Sequence, residues 1–178
     1  MLSIGKLALG QQRYYDQQVA RGRDDYFTGR GEAPGEWAGA GAEALGLHGR
    51  VSPEQFNSLL AGEDPRGPGV RLRAGARDPE IAALDLTFSA PKSVSVLFAV
   101  APAEVSAALV DAHEEAVRAA LGYLEREAAF VRRGHGGVHF EHAGGLIAAA
   151  YRHRMSRALD PQLHTHVVTA NLARYSDG

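Results

Sequence analysis

The chain has 178 residues, 45% of them hydrophobic and none of them cysteine, which is long enough to bury one core and excludes a disulfide framework, a thiolate metal site and a cysteine nucleophile. Its formal net charge of -2 excludes a uniformly basic polyanion-binding surface, although arginines gather locally at Arg21, Arg23 and Arg30, at Arg71, Arg73 and Arg77, and at Arg152, Arg154 and Arg157. The opening string MLSIGKLALGQQRYY has too few consecutive apolar residues for a signal segment or a membrane span, so the expectation is one soluble, intracellular domain.

Along the chain, Glu36 to Leu45 is alanine-rich and followed by Gly46, which predicts a short helix with a glycine stop. Ser52-Pro53-Glu54-Gln55 is a stronger start signal: a serine cap, proline at the first helical position and glutamine three residues after the cap. That helix should run to about Ala61, before Gly62, and the two helices together read as a small lid. Gly62 to Pro79 reads as a surface loop with an extended piece at Val70 to Arg73. Leu84 to Phe88 alternates with period two, placing Leu84, Leu86 and Phe88 on one side of a strand and Asp85 and Thr87 on the other.

Ser89-Ala90-Pro91 opens a helix through Ala99 or Val100, and apolar residues at helical spacing predict a long amphipathic helix from Pro102 to about Ala128. Phe130 to Arg133 and Val138 to His142 then read as a hairpin, followed by strands at Gly145 to Arg154 and His164 to Tyr175. The Asp160-Pro161 pair marks a turn over Ser156 to Pro161. The expected architecture is α+β, with at least four mainly antiparallel strands and helices packed on one face.

His164-Thr165-His166 puts two imidazoles on the same side of a strand, and a hairpin centred near Ala158 and Leu159 would bring His153 opposite His164. Three neutral imidazoles could then hold a transition metal and leave coordination positions open. Asp85 sits amid leucines, where an unpaired charge costs several kcal/mol, so it needs a partner such as a histidine ring nitrogen or a nucleophile's hydroxyl. Tyr14, Tyr15 and Tyr26 carry phenols that could act as nucleophiles only beside a general base or cations. Singly, each has a plainer explanation: a solvated histidine, an aspartate at a strand edge, a packing tyrosine.

Taken together with Asp25-Tyr26-Phe27, the Gly-Arg-Gly-Glu and Trp-Ala-Gly-x-Gly-Ala segments, the string Leu-Asp-Leu-Thr-Phe-Ser-Ala-Pro-Lys-Ser-Val-Ser at 84 to 95 and Gln-Leu-His-Thr-His at 162 to 166, these residues resemble conjugative relaxases of the TrwC/TraI (MobF) type, in the HUH endonuclease superfamily. The resemblance spans nearly the whole chain. It implies the relaxase fold and strand-specific nicking of single-stranded DNA at a plasmid transfer origin, through a covalent 5′-phosphotyrosine. By the same match Tyr14 is the first nucleophile, Tyr15 its neighbour, Tyr26 a second nucleophile and Asp85 the acidic residue that activates the tyrosine. His153, His164 and His166 match the ligands of one divalent ion.

The family points to Mg or Mn for that ion, whereas imidazole softness also suits Zn, Ni or Co. Lys92, Arg71, Arg73 and Arg154 are the candidate phosphate contacts. Other relaxosome and coupling proteins would be partners in the bacterial cytoplasm. Phe27 replaces one phenol of the family's second tyrosine pair. Residues 1–178 are expected to form a single relaxase domain, incomplete at its C-terminal end. Competing readings are a rolling-circle replication initiator, in which the tyrosines would not precede the histidines, a truncated non-catalytic DNA-binding remnant, and a three-histidine hydrolase that uses metal-bound water and leaves the tyrosines unexplained.

Overall fold

A computed structural model describes residues 1–8, 34–67, 69–73, 80–133, 138–156 and 158–173. Their strands are β1 (Leu2–Leu7), β2 (Glu36–Ala38), β3 (Ala83–Ser89), β4 (Phe130–Arg133), β5 (His139–His142), β6 (Leu146–Met155) and β7 (Pro161–Ala173). The helices are α1 (Ala40–Ala44), α2 (Pro53–Leu60), α3 (Lys92–Val100) and α4 (Ala103–Glu127). Five strands make one sheet in the order β1-β3-β7-β6-β2, antiparallel at every junction. Among the described residues β4 and β5 pair only with each other, as a separate ribbon.

Strand alternation sorts the apolar residues onto two sides. On one side Ala83, Ile147, Ala149, Tyr151, Val168 and Ala170 pack with Phe56, Leu59 and Leu60 of α2 and Ala42 of α1. On the other, Leu86, Phe88, Ala148 and Val167 pack against Val117 and Leu121 of α4. The expectation of helices on one face is therefore corrected: the long helix α4 covers one side, and the short helices α1 and α2 cover part of the other. The physical reason is that β6 and β7 are apolar on both sides, so both need a cover. What read as a lid is part of the core, with Phe56 and Leu59 fully buried.

α2 begins as its sequence dictates. The Ser52 hydroxyl accepts from the Gln55 amide, the Gln55 side chain accepts from the Ser52 amide, and Pro53 occupies the first turn. The segment 36–45 differs from the helix expected there. Trp37 and its neighbours pair with β6 as β2, and the helix begins only at Ala40, because Gly39 takes a φ of 92° that breaks the run. α1 has no side-chain cap of its own; a Glu125 carboxylate oxygen on α4 accepts from the amides of Ala40 (2.8 Å) and Leu146 (2.9 Å). One carboxylate thus ties α1, α4 and β6 together. β7 starts at Pro161, three residues before the expected boundary, and β1 was not foreseen.

α1 crosses the start of β6 backbone to backbone. A Cβ on Gly145, where φ is 115°, would lie 2.4 Å from the Gly41 nitrogen. Gly46 also has a positive φ, 72°, but open space around it. Gly145→Ala should therefore destabilise by about 2–3 kcal/mol, combining strain with a clash, whereas Gly46→Ala should cost only about 1 kcal/mol. Urea midpoints of the two variants check the order; equal losses would refute the crowding argument.

Candidate metal centre

The turn between β6 and β7 aligns the histidines. The Ser156 amide donates to the Asp160 carbonyl (2.8 Å), the Ser156 hydroxyl accepts from the amides of Ala158 and Asp160, and Leu159 adopts a φ of 66°. With the hairpin closed this way, His153 pairs with His164, and Tyr151 with His166. The start of β7 is held from the other direction by the segment after β3. The Leu163 amide donates to the Ser95 hydroxyl (3.0 Å), the Ala90 amide donates to the Leu163 carbonyl (3.0 Å), and the Lys92 ammonium donates to the Pro161 carbonyl (3.0 Å).

Three rings meet on the side of the sheet that also carries Tyr151 and Val168, and His153 and His164 are buried there. Ring centroids are 5.2 Å apart for His153–His164, 5.2 Å for His153–His166 and 5.0 Å for His164–His166. Imidazoles that each place a nitrogen about 2.1 Å from one tetrahedral ion have centroids about 5 Å apart. Ring positions therefore fit a shared ion. Donor atoms are less advanced: among the described residues no three His, Asp or Glu side chains already gather their donors into a ligand set.

Hydrogen bonds fix which nitrogen His164 and His166 offer. The His164 Nδ1 lies 2.8 Å from the Gln162 carbonyl oxygen, which can only accept, so Nδ1 carries the proton and Nε2 keeps its lone pair. His166 Nδ1 lies 2.9 and 3.0 Å from the two Asp85 oxygens, with the same result when the carboxylate is ionised. The Thr87 hydroxyl donates to Asp85 (3.2 Å) and lies 3.1 Å from His166 Nδ1. Metal-ligating histidines commonly show this carboxylate or carbonyl backing. Burial pushes the His164 ring below the usual imidazole range, opposed by its bond to Gln162. The neutral, metal-binding form is thereby favoured.

Behind the centre, Thr165 faces the opposite side of β7, and its hydroxyl lies 3.0 Å from His113 Nε2 on α4. Both are buried. Arg152, also on that side, forms an ion pair with Glu114 of α4. Neither His113 nor Thr87 was singled out from the sequence. Thr87 had a usable signal, being two residues from Asp85 on the same side of a strand; His113 had none.

The phosphate-contact candidates are not brought together. Lys92 is engaged with Pro161, as above. Arg71 is exposed and sits in an isolated bridge with Glu63, away from the histidines in the fold. Arg73 is half-buried with its terminal guanidinium nitrogens out of solvent, so it does not present them to a ligand. Arg154 is half-buried and follows Arg152 by two positions, on the side of β6 opposite His153. Tyr14, Tyr15 and Tyr26 lie outside the described residues.

The sequence and the fold have known relatives. The TrwC relaxase family model matches residues 8–178, and the chain belongs to that family. It is 37% identical over 174 residues to the multifunctional conjugation protein TraI of Escherichia coli, covering 98% of this chain and 9% of that protein. TraI of strain K12 is also 37% identical, over 154 residues, covering 86% of this chain and 8% of the relative. The chain thus spans less than a tenth of the length of these curated relatives. Among solved structures, conjugative relaxase TrwC in complex with OriT DNA, metal-bound, superposes with a TM-score of 0.79 at 40% identity, over 100% of this chain and 59% of that one. A copper-bound form of the same complex gives 0.78 at 40% identity, over 100% and 60% of the two chains. Among the described residues no helix is long and apolar enough to cross a membrane.

Two outcomes follow for this region. Asp85→Ala should weaken Mn²⁺ binding about 10- to 100-fold by releasing the His166 tautomer, measured by isothermal titration calorimetry; unchanged affinity would remove Asp85 from the centre. Burial also pushes the His113 ring below the usual imidazole range. The unfolded chain therefore binds more protons than the folded one between the lowered pKa and about 6.5, and stability falls as pH drops through that window. Thermal melts in chelator should show this decline, and His113→Gln should make it shallower.

Proposed function

We propose that this chain is the DNA-nicking module of a conjugative relaxase, acting on single-stranded DNA at a plasmid transfer origin in the bacterial cytoplasm. The observation that carries the reading is the His153, His164 and His166 cluster backed by Asp85 on one side of the sheet, in a chain of the TrwC relaxase family. The relatives' structures, solved with OriT DNA and with metal, support the same substrate and cofactor here. Residues 1–178 constitute the catalytic domain or part of it.

In this reading His153, His164 and His166 hold one divalent ion. When bound, the ion withdraws charge from a phosphodiester oxygen; three neutral ligands leave its positive charge undiminished. Mg or Mn is our first assignment, with Zn, Ni or Co compatible with imidazole donors. Tyr14 is the first nucleophile, with Tyr15 and Tyr26 as further phenols. The phenol oxygen forms a bond to phosphorus while the bond from phosphorus to the 3′ oxygen of the preceding nucleotide breaks. The phenolic proton passes to Asp85, and the leaving 3′ oxygen takes a proton from solvent.

Asp85 can serve twice because a carboxylate offers about four lone-pair sites, of which His166 and Thr87 use only some. The product is a 5′-phosphotyrosine and a free 3′ hydroxyl. Because the phosphodiester energy is retained, a later 3′ hydroxyl can reseal the strand without ATP. Other relaxosome and coupling proteins would dock on surfaces outside this centre.

The test is incubation with Mn²⁺ and labelled single-stranded transfer-origin oligonucleotides, followed by a denaturing gel. A protein-linked DNA band that chelator prevents and Tyr14→Phe reduces at least about 100-fold is expected. Binding of the same oligonucleotides with no covalent band under any metal would overturn the nicking assignment and leave a DNA-binding chain.

A further inference from the structure

We infer that the β4–β5 ribbon is a second DNA contact, a stacking platform for unpaired bases that lies outside the metal centre. The inference rests on the reading that single-stranded DNA is the substrate. In the ribbon Phe130 pairs in register with His142, and Arg132 with Phe140. Partners opposite each other in an antiparallel pair share a side, so these four residues form one surface. Phe130 and His142 are stacked with ring centroids 4.3 Å apart, and the Arg132 guanidinium lies 4.8 Å from the centre of the Phe140 ring.

Cross-strand pairs of this kind stabilise a hairpin, but that role does not account for the exposure. Phe140 is 62% exposed and Phe130 50% exposed, on strands that among the described residues pair with nothing except each other. Large apolar rings left open to water mark interaction surfaces. Here the rings are interleaved with Arg132, which supplies positive charge, and His142, which adds a further flat ring. Aromatic faces beside a guanidinium suit single-stranded nucleic acid, because every base has a π-face to stack and a phosphate to neutralise. Duplex DNA hides its base faces and offers such rings nothing comparable.

Since the two phenylalanines are exposed and lie outside both core clusters, replacing them should leave the main fold intact. The test uses the full chain and fluorescence anisotropy with a labelled oligo-dT strand of about 20 nucleotides, beside a blunt duplex of the same length. The double variant Phe130→Ala/Phe140→Ala should bind the single strand at least about tenfold more weakly, with little change on the duplex. Phe140→Trp in place of alanine should restore most of the loss, and Arg132→Ala should lower the salt slope by about one.

Wild-type affinity in the double variant, or an equal loss on strand and duplex, would overturn the platform. No binding of oligo-dT by the wild-type chain would overturn it as well. Covalent adduct formation at the nick, measured separately, reports on the relaxase reading itself, so a failed platform with an intact adduct separates the two.

Discussion

The hydrogen-bond register between β6 and β7 decides where the histidines lie, since a slip of one residue would turn His164 and His166 toward α4 and put Thr165 in their place beside His153. Sliding is opposed at several points. The Ser156 turn closes the hairpin, and Ser95, Ala90 and Lys92 hold the first residues of β7. The apolar pattern adds a larger constraint, because Val167 and Val168 bury on opposite sides of the same strand and each would lose its cover if the strand shifted. Packing and polar contacts thus specify a single alignment.

The sheet divides labour between its sides. The side that carries the imidazoles also carries the core under α1 and α2, and His153 and His164 are buried there. The opposite side is closed by α4, whose His113 and Glu114 engage Thr165 and Arg152. A histidine on each side of β7 therefore sits on or beside the same three residues. One set is the candidate metal centre, and the other holds the strand against the helix.

Much of this was legible in the sequence, and the exceptions have physical causes. β3, the β6–β7 hairpin, α2 and α4 each carried a long period or an explicit cap, and the pairing of His153 with His164 followed from the position of Asp160-Pro161. β1 and β2 did not announce themselves: β1 is an exposed edge strand, and β2 has only three residues before Gly39. The partners of polar residues were also hidden. Thr87 meets His166 across 79 residues, Leu163 meets Ser95 across 68, and His113 meets Thr165 across 52. Spacing encodes which side of a strand a residue takes, and carries no information about contacts made at such range. Lys92 illustrates the limit, for nothing in its spacing announces its bond to the Pro161 carbonyl.

The backing of His164 by Gln162 and of His166 by Asp85 exists in the polypeptide by itself. In the proposed reading the strands and these hydrogen bonds, rather than the ion, would hold the rings, in contrast to small zinc modules whose core is the metal and which unfold when it is removed. Exchange of the ion would then leave the scaffold in place. Such a protein would be a durable holder with a replaceable electrophile, carrying whichever divalent ion its surroundings supply.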